Sequence, residues 1–323
     1  MTGPGKEPDV VPALEVGGTH CAVAVVDTTH WRLVPGTVHR LALRSDGTAE
    51  EIIFVILECA HSVDIEPGRR WGVAIPGPFD YESGVARFRD VGKFDALFGL
   101  DLRAILLDDA ETRPRDVAFV NDADAFLLGE WMAGAAAGHR RAVGLTLGTG
   151  IGSAFLIDGT VTEDHPAVPP EGRVDLLTID GGPLEDTVSR RAIIARYAEL
   201  TKSADTDVDV RDIAMRDRDG EPEARQVLDR ALIALGRTIG PWVERFGATV
   251  LVVGGSMAAS WDIVLPRLRA GIAQTAPAVV GRTAVVCATR PTEAALIGAG
   301  SAAFRRTTTR AVKSGSSHPE KRA

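Results

Sequence analysis

Short apolar runs rich in β-branched residues alternate with longer amphipathic stretches along most of the chain. The short runs predict β-strands, which fall at residues 11–16, 21–26, 71–75, 118–120, 142–147, 153–157, 250–253 and 283–287. The amphipathic stretches predict helices at residues 49–61, 100–107, 123–136, 186–200, 222–246, 261–273 and 292–306. Strands and helices that alternate in this way are typical of an α/β fold.

Three glycine-bearing turns follow or end these apolar runs, at residues 15–19, 147–152 and 252–256. Because glycine has no Cβ, such a turn exposes backbone N–H groups that can cradle phosphate oxygens. A single turn of this kind is more often only a tight turn, but three in matching strand context indicate a nucleotide site. The first two turns each begin a β-β-β-α-β-α unit. The turn residues are Gly17, Gly18, Thr19, Gly148, Thr149, Gly150, Gly254, Gly255 and Ser256.

The amino-acid composition of the chain excludes several classes of binding partner. The chain has 323 residues, 45% of them hydrophobic, which is enough for a sizeable core and suggests two domains. A formal charge of −8 argues against binding to nucleic acid, and no apolar run is long enough to span a membrane. Three widely spaced cysteines argue against a disulfide framework and favour a cytoplasmic protein. We therefore expect a small-molecule partner.

A further chemical signal lies between the first two turns, in Asn121 and Asp122. These residues follow a short apolar run and precede an alanine-rich helix, so the Asp122 carboxylate is expected at a strand-to-helix turn. Phosphoryl transfer needs a base that accepts the proton of the acceptor hydroxyl, and a carboxylate placed here suits that role. A helix cap is the alternative, and for an isolated Asn-Asp pair it is the more common outcome.

The order of these motifs resembles a known family. Glu15-Val-Gly-Gly-Thr, Ile75-Pro-Gly-Pro, Val120-Asn-Asp-Ala, Leu147-Gly-Thr-Gly-Ile-Gly and Val253-Gly-Gly-Ser are similar to motifs of the ROK sugar kinases and repressors. That family belongs to the actin-like, hexokinase-like ATPases. The likeness extends over nearly the whole chain. It implies a two-lobed actin-like ATPase fold of the ribonuclease-H-like type, with the ligand in a cleft between the lobes.

The resemblance also implies how the chain divides. Residues 10–120 would form the N-terminal α/β lobe, completed by a C-terminal helix at 291–306, and residues 121–290 would form the larger C-terminal lobe. Residues 1–9 and 307–323 are polar and are predicted to be disordered. A homodimer is expected from the same resemblance.

The family pattern assigns roles to the matching residues. Asp122 would be the catalytic base, and Asn121 and Gly77 would contact the substrate. The first two glycine turns would hold the phosphates of ATP, and the third would lie beside the adenosine. Glu15 stands where the family usually has an aspartate associated with Mg²⁺, so a metal contact, direct or through water, is predicted. A surface charge at the end of the strand is the alternative for Glu15.

The largest departure from the family lies between residues 164 and 189. Typical members have a Glu-x-Gly-His segment and a cysteine cluster that binds zinc, whereas this stretch contains no cysteine. Glu171 and Glu185 remain candidates for substrate contact, but Arg173 or Val174 replaces the histidine. We therefore predict no structural zinc and an acceptor other than plain glucose. A C7-cyclitol of the valiolone type is the hypothesis that follows.

The sequence thus predicts an ATP- and Mg²⁺-dependent kinase that phosphorylates a hydroxyl of a sugar-like polyol. A glucokinase-like or other hexose or N-acetylhexosamine kinase is the first alternative. A non-catalytic sugar-binding regulator is the second, because Glu15 and the altered metal loop both depart from the family. A DNA-binding repressor is disfavoured, since only fourteen residues precede Glu15 and such repressors carry a helix-turn-helix there.

Overall fold

The computed structural model describes residues 9–202 and 208–315. The strands are β1 (Val10–Val16), β2 (His20–Asp27), β3 (Arg32–Leu33), β4 (His39–Ala42), β5 (Arg70–Ile75), β6 (Phe79–Asp80), β7 (Val85–Ala86), β8 (Asp116–Asn121), β9 (Arg141–Leu147), β10 (Ile151–Ile157), β11 (Thr160–Val161), β12 (Thr178–Ile179), β13 (Gly182–Pro183), β14 (Val250–Gly254) and β15 (Ala284–Cys287). The helices are α1 (Ala49–His61), α2 (Leu102–Leu107), α3 (Asp122–Ala133), α4 (Glu185–Val188), α5 (Arg190–Thr201), α6 (Val210–Arg218), α7 (Pro222–Phe246), α8 (Trp261–Thr275), α9 (Pro277–Arg282) and α10 (Ala294–Gly315). Single 3₁₀ turns lie at Asp95–Leu97, Pro170–Gly172 and Ser256–Ser260.

Every predicted strand, and every predicted helix but one, is confirmed to within a few residues at most ends. The prediction of one continuous helix at 186–200 was wrong. Ser189 has an extended backbone that ends α4, and its hydroxyl caps α5 by accepting the Ala192 N–H. The sequence patterns missed α6, which is largely charged, and α9, which is very short. The segments predicted to be disordered are 1–9 and 307–323. Helix α10 continues through residues 307–315 of the second segment, whereas residues 1–8 and 316–323 lie outside the described residues.

Residues 9–129 and 292–315 form one compact unit, and residues 130–291 form a second. The first unit is built on a sheet in the order β3-β2-β1-β5-β8, with β4 also paired to β2. Strands β1 and β2 form an antiparallel hairpin, whereas β5 and β8 run parallel to β1. The carboxyl ends of β1, β5 and β8 therefore lie at one edge of the sheet, where Glu15, Gly77 and Asn121 are found.

The two faces of this sheet carry side chains of different size. The larger residues of β1 and β2 pack beneath α1 and α2, whereas the opposite face is formed by small residues beneath α10. A Cβ on Gly72 of β5 would overlap the carbonyl group of Ala299 in α10, so the helix lies directly on the sheet. The alanines of this face are Ala13, Ala22, Ala24 and Ala74.

The second unit has the same strand arrangement, with a sheet in the order β11-β10-β9-β14-β15. Strands β9 and β10 form an antiparallel hairpin, and β14 and β15 run parallel to β9. Helices α7 and α8 pack together at Gly236 and Gly271, because a Cβ on either glycine would overlap the backbone of the other helix. The carboxyl ends of β9 and β14 carry the second and third glycine turns.

The chain passes from one unit to the other after Gly129, within α3, and again after Pro291. The first turns of α3 belong to the first unit because they pack against α10, where Gly129 and Gly298 allow the two backbones to meet. The unit limits therefore differ from the predicted lobe limit at residue 120. None of the helices within the described ranges combines the length and the apolar character needed to cross a bilayer.

Candidate active site

The first glycine turn joins β1 to β2, and two of its consecutive N–H groups have no acceptor in the part of the chain that the structure describes. Its carbonyl groups are occupied: Ser45 N–H donates to Gly18 O at 3.3 Å, and Leu43 N–H donates to Thr19 O at 3.0 Å. Among the described residues, no group accepts the N–H of Gly18 or of Thr19. Two adjacent donors of this kind suit a phosphate oxygen.

Glu15 lies just before this turn and faces a basic side chain across the sheet. It is paired in register with Ala22 on β2, which is paired with Arg40 on β4, so the three side chains share one face. The Glu15 side chain is 23% exposed. Burial raises the pKa of Glu15 to about 7; Arg40 opposes this shift, and the charge of Asp122 adds to it. Glu15 is thus a partly desolvated carboxylate close to a second one, unlike an ordinary surface charge.

Asn121 ends β8 and Asp122 begins α3. Asn121 Oδ1 accepts the N–H of Ala123 at 2.9 Å and that of Asp124 at 3.3 Å, so Asn121 caps the helix. Asp122 Oδ1 shares the Ala123 N–H, also at 2.9 Å. The capping function expected as an alternative role for Asp122 thus belongs mainly to its neighbour.

The Asp122 carboxylate binds a proton more readily than a solvated aspartate does. Burial raises its pKa, while the Lys93 ammonium group and the N–H groups of Ala123 and of Asp122 itself act in the opposite direction. Burial is the largest of these effects, because it disfavours the charged carboxylate. A raised pKa is the property that a general base at neutral pH requires.

Gly77 and Asn121 both lie beside the hydroxyl group of Tyr81. Asn121 Nδ2 donates to Tyr81 Oη at 2.9 Å, and this hydroxyl donates to Ile75 O at 3.2 Å. A Cβ on Gly77 would lie 3.4 Å from Tyr81 Oη and 3.9 Å from Asn121 Nδ2. The first unit therefore brings Gly77 and Asn121, the neighbour of Asp122, together beside Tyr81, a residue that no sequence motif marks.

The second glycine turn joins β9 to β10 and has the same arrangement of donors. Gly148 N–H donates to Gly150 O at 3.0 Å, and no described group accepts the N–H of Thr149 or of Gly150. A Cβ on Gly148 would have no described atom within 4 Å, and its φ is not in the left-handed region. Neither packing nor backbone conformation requires glycine at 148, whereas a ligand close to the backbone would.

Glu185 lies against this second turn, and Glu171 does not. A Cβ on Gly150 would lie 2.5 Å from Glu185 Oε1, and Glu185 is half-buried at the start of α4. Glu171 is exposed in a 3₁₀ turn with a φ of 56°. The two carboxylates act on one common partner: the pKa of Arg173 is raised by its hydrogen bond to Asp175 and further by the charges of Glu171 and Glu185.

The third glycine turn packs against the second. Gly254 of β14 is paired with Thr146 of β9, and a Cβ on Gly255 would overlap the backbone of Leu147. Gly255 has a φ of 85°, so both conformation and packing require glycine at this position. Ser256 follows as the exposed first residue of a 3₁₀ turn.

Hydrogen bonds hold the loop that, in the sequence analysis, is predicted to replace the family's metal-binding segment. Ser153 Oγ on β10 donates to Gly172 O at 2.6 Å and accepts the N–H of Val174 at 3.0 Å. The Val174 side chain is fully buried, and Arg173 forms an ion pair with Asp175 at 2.6 Å. Within the described ranges, no group of three or more His, Cys, Asp or Glu side chains is arranged to hold a metal ion. The sequence patterns did not single out Ser153.

A protein-family model described as the ROK family matches residues 11–306. The chain belongs to the ROK family. Among curated relatives, the glucokinase of Thermotoga maritima is 27% identical over 309 residues, which cover 89% of this chain and 95% of that protein. The N-acetyl-D-glucosamine kinase of Pectobacterium carotovorum is 25% identical and covers 64% of this chain and 72% of its own length.

Solved ROK structures share the fold. The ROK hexokinase of Thermus thermophilus is 25% identical, covers 93% of this chain and 99% of its own, and superimposes with a TM-score of 0.71. The ROK glucokinase of Streptomyces griseus, solved with glucose and AMPPNP, is 21% identical with a TM-score of 0.72 and shows the fold alone. The predicted family, the actin-like ATPase fold and the class of ATP-dependent sugar phosphotransferases are confirmed.

Proposed function

We propose that this ROK protein is an ATP-dependent kinase that transfers the γ-phosphoryl group of ATP to a hydroxyl of a sugar or sugar-like polyol. The names of its relatives support this proposal, since they include a glucokinase and an N-acetyl-D-glucosamine kinase. The residues of the two units add independent support. They provide a carboxylate that can act as a base, and several backbone N–H groups that can donate hydrogen bonds to phosphate oxygens. A regulator without activity would need neither.

Asp122 is the base of the proposed reaction. Its carboxylate accepts the proton of the acceptor hydroxyl while the hydroxyl oxygen bonds to the γ-phosphorus and the bond from phosphorus to ADP breaks. The raised pKa of Asp122, caused by burial, makes proton uptake favourable. Asn121 and Gly77 would contact the substrate beside this carboxylate.

The glycine turns bind ATP in this proposal. The N–H groups of Gly18, Thr19, Thr149 and Gly150, which no described group accepts, donate to phosphate oxygens. Gly148 lets the phosphates approach the second turn, and Glu185 and Glu171 would contact the substrate near it. The third turn, at Gly254, Gly255 and Ser256, would lie beside the adenosine.

Glu15 fits a role in holding Mg²⁺. Magnesium is usually bound by one or two carboxylates together with substrate phosphates, so a cluster of three protein ligands is not needed. Burial and the charge of Asp122 both disfavour ionised Glu15 and raise its pKa to about 7. A divalent cation would offset both effects. When bound with ATP, Mg²⁺ supplies positive charge at the phosphates.

Two classes of acceptor fit the site equally. A hexose or N-acetylhexosamine is the acceptor named for the curated relatives. A C7-cyclitol is suggested by the segment between residues 164 and 189, where the hydrogen bonds from Ser153 and the Arg173–Asp175 pair stand in place of a histidine and zinc-binding cysteines. Such a loop would contact the ring oxygen and anomeric hydroxyl of a hexose differently from a loop with the histidine and the zinc-binding cysteines.

The observation that carries the proposal is the cap at the start of α3, which occupies Asn121 Oδ1, beside a half-buried Asp122 whose pKa is raised by desolvation. The test measures ATP consumption with Mg²⁺ against hexoses, N-acetylhexosamines and C7-cyclitols, for the wild type and for Asp122→Asn. We expect turnover of one class by the wild type and a loss of about 100-fold or more in Asp122→Asn, the usual contribution of a general base.

Asp101→Asn is the matched control for this test. Asp101 caps α2 by accepting the Ala104 N–H at 2.8 Å, and asparagine caps a helix equally well, so turnover should be unchanged. Absence of turnover with every class, or full activity of Asp122→Asn, would contradict the kinase proposal. A homodimer, expected from the family resemblance, and a cytoplasmic location, expected from the three widely spaced cysteines, complete the proposal. Light scattering of the purified protein tests the first.

A further inference from the structure

Tyr81 connects two parts of the first unit that the reaction would use. We infer that Tyr81 is a positioning residue, which holds the Asn121 carboxamide across the start of α3 and so leaves the Asp122 carboxylate available to the acceptor hydroxyl. The role of Asp122 in this inference rests on the proposed function. The hydrogen-bonded chain from Tyr81 to α3 does not depend on it.

The chain consists of bonds whose donors and acceptors are fixed. Asn121 Nδ2 donates to Tyr81 Oη at 2.9 Å, and Tyr81 Oη donates to Ile75 O at 3.2 Å. Ile75 is the residue of β5 that pairs with Asn121 of β8. The tyrosine hydroxyl is therefore hydrogen-bonded to both residues of this pair, on two neighbouring strands. The Tyr81 ring is held by Phe79, with ring centroids 5.4 Å apart, and is therefore well placed to keep its hydroxyl there.

The hydrogen bonds of Asn121 define the orientation of its carboxamide. Its oxygen faces two backbone donors, the N–H groups of Ala123 and Asp124, so the opposite assignment would place the NH₂ group against N–H groups. Its nitrogen gives one hydrogen to Tyr81. Only the second Nδ2 hydrogen remains for a substrate. Asn121 can therefore donate a hydrogen bond to an oxygen of the substrate, whereas Asp122 accepts one from a substrate hydroxyl.

Asn121 and Asp122 compete for one N–H group. The Ala123 N–H is shared by Asn121 Oδ1 and Asp122 Oδ1, each at 2.9 Å. Without the Tyr81 hydroxyl the carboxamide can turn away, and Asp122 then becomes the main acceptor. A stronger hydrogen bond to the ionised form lowers the pKa of a carboxyl group and makes the carboxylate a weaker base.

Other charges surround Asp122 and would be unchanged by a substitution at Tyr81. Lys93, from the loop before the 3₁₀ turn at Asp95–Leu97, lowers the pKa of Asp122. Glu15, from β1, is a second carboxylate near Asp122 and is itself opposed by Arg40 of β4. Since these groups are the same in wild type and variant, a difference between the two reports the Tyr81 hydroxyl.

The composition of the chain allows a direct test. Asn121 is the only asparagine in the sequence, so labelling the full-length protein with ¹⁵N-asparagine gives a single side-chain NH₂ group to observe by NMR. In the wild type we expect one of its two hydrogens to exchange with water at least about tenfold more slowly than the other, because it is hydrogen-bonded. Tyr81→Phe should abolish this difference.

The same signal reports the ionisation of Asp122, its neighbour. We expect the pH midpoint of the Asn121 shifts to fall by about half a unit to one unit in Tyr81→Phe, which corresponds to one ordinary hydrogen bond. With an acceptor that the wild type turns over, kcat should fall about threefold to tenfold while the KM for ATP is unchanged. The acid limb of the pH–rate profile should move to lower pH by the same amount as the NMR midpoint.

Tyr197→Phe is the matched control, because Tyr197 is the other tyrosine of the chain and its buried hydroxyl also forms hydrogen bonds, to Glu221 and Arg216. It should leave the Asn121 signals and the pH midpoint unchanged. Equal exchange of both Asn121 hydrogens in the wild type, or an unchanged midpoint in Tyr81→Phe, would overturn the inference. Both readouts need no turnover, so they separate this outcome from a failure of the kinase proposal.

Discussion

Two carboxylates, Glu15 and Asp122, determine the chemistry of the first unit. Their pKa values depend on the surroundings of each side chain more than on its position in a sequence motif. Glu15 and Asp122 are separated by over one hundred residues in sequence, yet each is desolvated and Asp122 contributes to the raised pKa of Glu15. In the absence of a cation, ionised Glu15 is therefore unfavourable in the folded protein. This property can be measured without knowing the acceptor.

Replacing Glu15 should change how stability depends on pH. The pKa of Glu15 is raised from 4.5 to about 7 by burial, so between these values the folded protein holds a proton that the unfolded chain has lost. The free energy of unfolding of the wild type should therefore fall as pH rises through this window, by up to about 3 kcal/mol. Glu15→Gln has no such proton and should gain stability relative to the wild type between pH 5 and pH 8.

Urea unfolding at pH 5 and pH 8, without ATP or Mg²⁺, checks this expectation. Glu66→Gln is the control, because Glu66 is exposed and forms a surface ion pair with Arg69 at 3.1 Å. It should follow the wild type at both pH values. The prediction fails if the stability difference between Glu15→Gln and the wild type is the same at pH 5 and pH 8.

Among the secondary-structure elements, the contact of α3 with α10 is the one that positions the candidate base. Asp122 begins α3, and the helix lies against α10 through glycines on both sides. A Cβ on Gly298 of α10 would overlap the carbonyl group of Ala125, and one on Gly129 of α3 would overlap that of Ala294. The glycines thus allow a contact between two backbones, and this contact fixes where α3 starts.

Gly298→Ala should destabilise the protein, because the added methyl group forces the two helices apart. We expect a loss of about 2 kcal/mol or more in the free energy of unfolding, as in other overpacked cores. Gly281→Ala is the matched control: Gly281 is exposed in α9, and a Cβ there would have no described atom within 4 Å. That variant should be neutral or more stable by up to about 1 kcal/mol. If the two variants unfold at the same urea concentration, α3 and α10 can move apart without loss of stability, and the prediction is wrong.

In the whole molecule, one buried carboxylate joins the two segments by which the chain enters and leaves the second unit. Glu130 follows the first passage after Gly129, and its side chain is fully buried. Its oxygens accept the N–H of Thr289 at 3.2 Å and that of Arg290 at 2.7 Å, just before the second passage. They also accept the Ala135 N–H at 2.7 Å. These backbone donors stabilise a carboxylate that burial alone would disfavour.

Glu130→Gln should be strongly destabilising, because one carboxylate oxygen is replaced by an NH₂ group that faces N–H donors. We expect a loss of about 3 kcal/mol in the free energy of unfolding, the effect of breaking a buried charged network. Glu199→Gln serves for comparison, since Glu199 is exposed and paired with Arg196 at 2.8 Å. It should change stability by less than about 0.5 kcal/mol. A similarly small change in the free energy of unfolding of Glu130→Gln would contradict the stabilising role assigned to Glu130.

The sequence by itself determined the features that depend on neighbouring residues. Hydrophobic periodicity predicted the strands and the long helices, and α1 and α7 were predicted with the bounds that the structure shows. The glycine turns were also evident, since the absence of a Cβ is a local property. The Asn-Asp pair was placed correctly at the junction of β8 and α3, because the end of an apolar run and the start of a helix mark that junction.

Only the tertiary structure decided which of these residues meet. The register of β1, β2 and β4 places Arg40 on the same face of the sheet as Glu15, where its charge lowers the pKa of Glu15. Strand β4 is mostly exposed and has no apolar pattern. Tyr81 and Asn121 are 40 residues apart and are joined by one hydrogen bond, which leaves no trace in local sequence. Pairings of this kind depend on strand register and on the burial of a few polar atoms, and those are properties of the packed sheet rather than of any short segment.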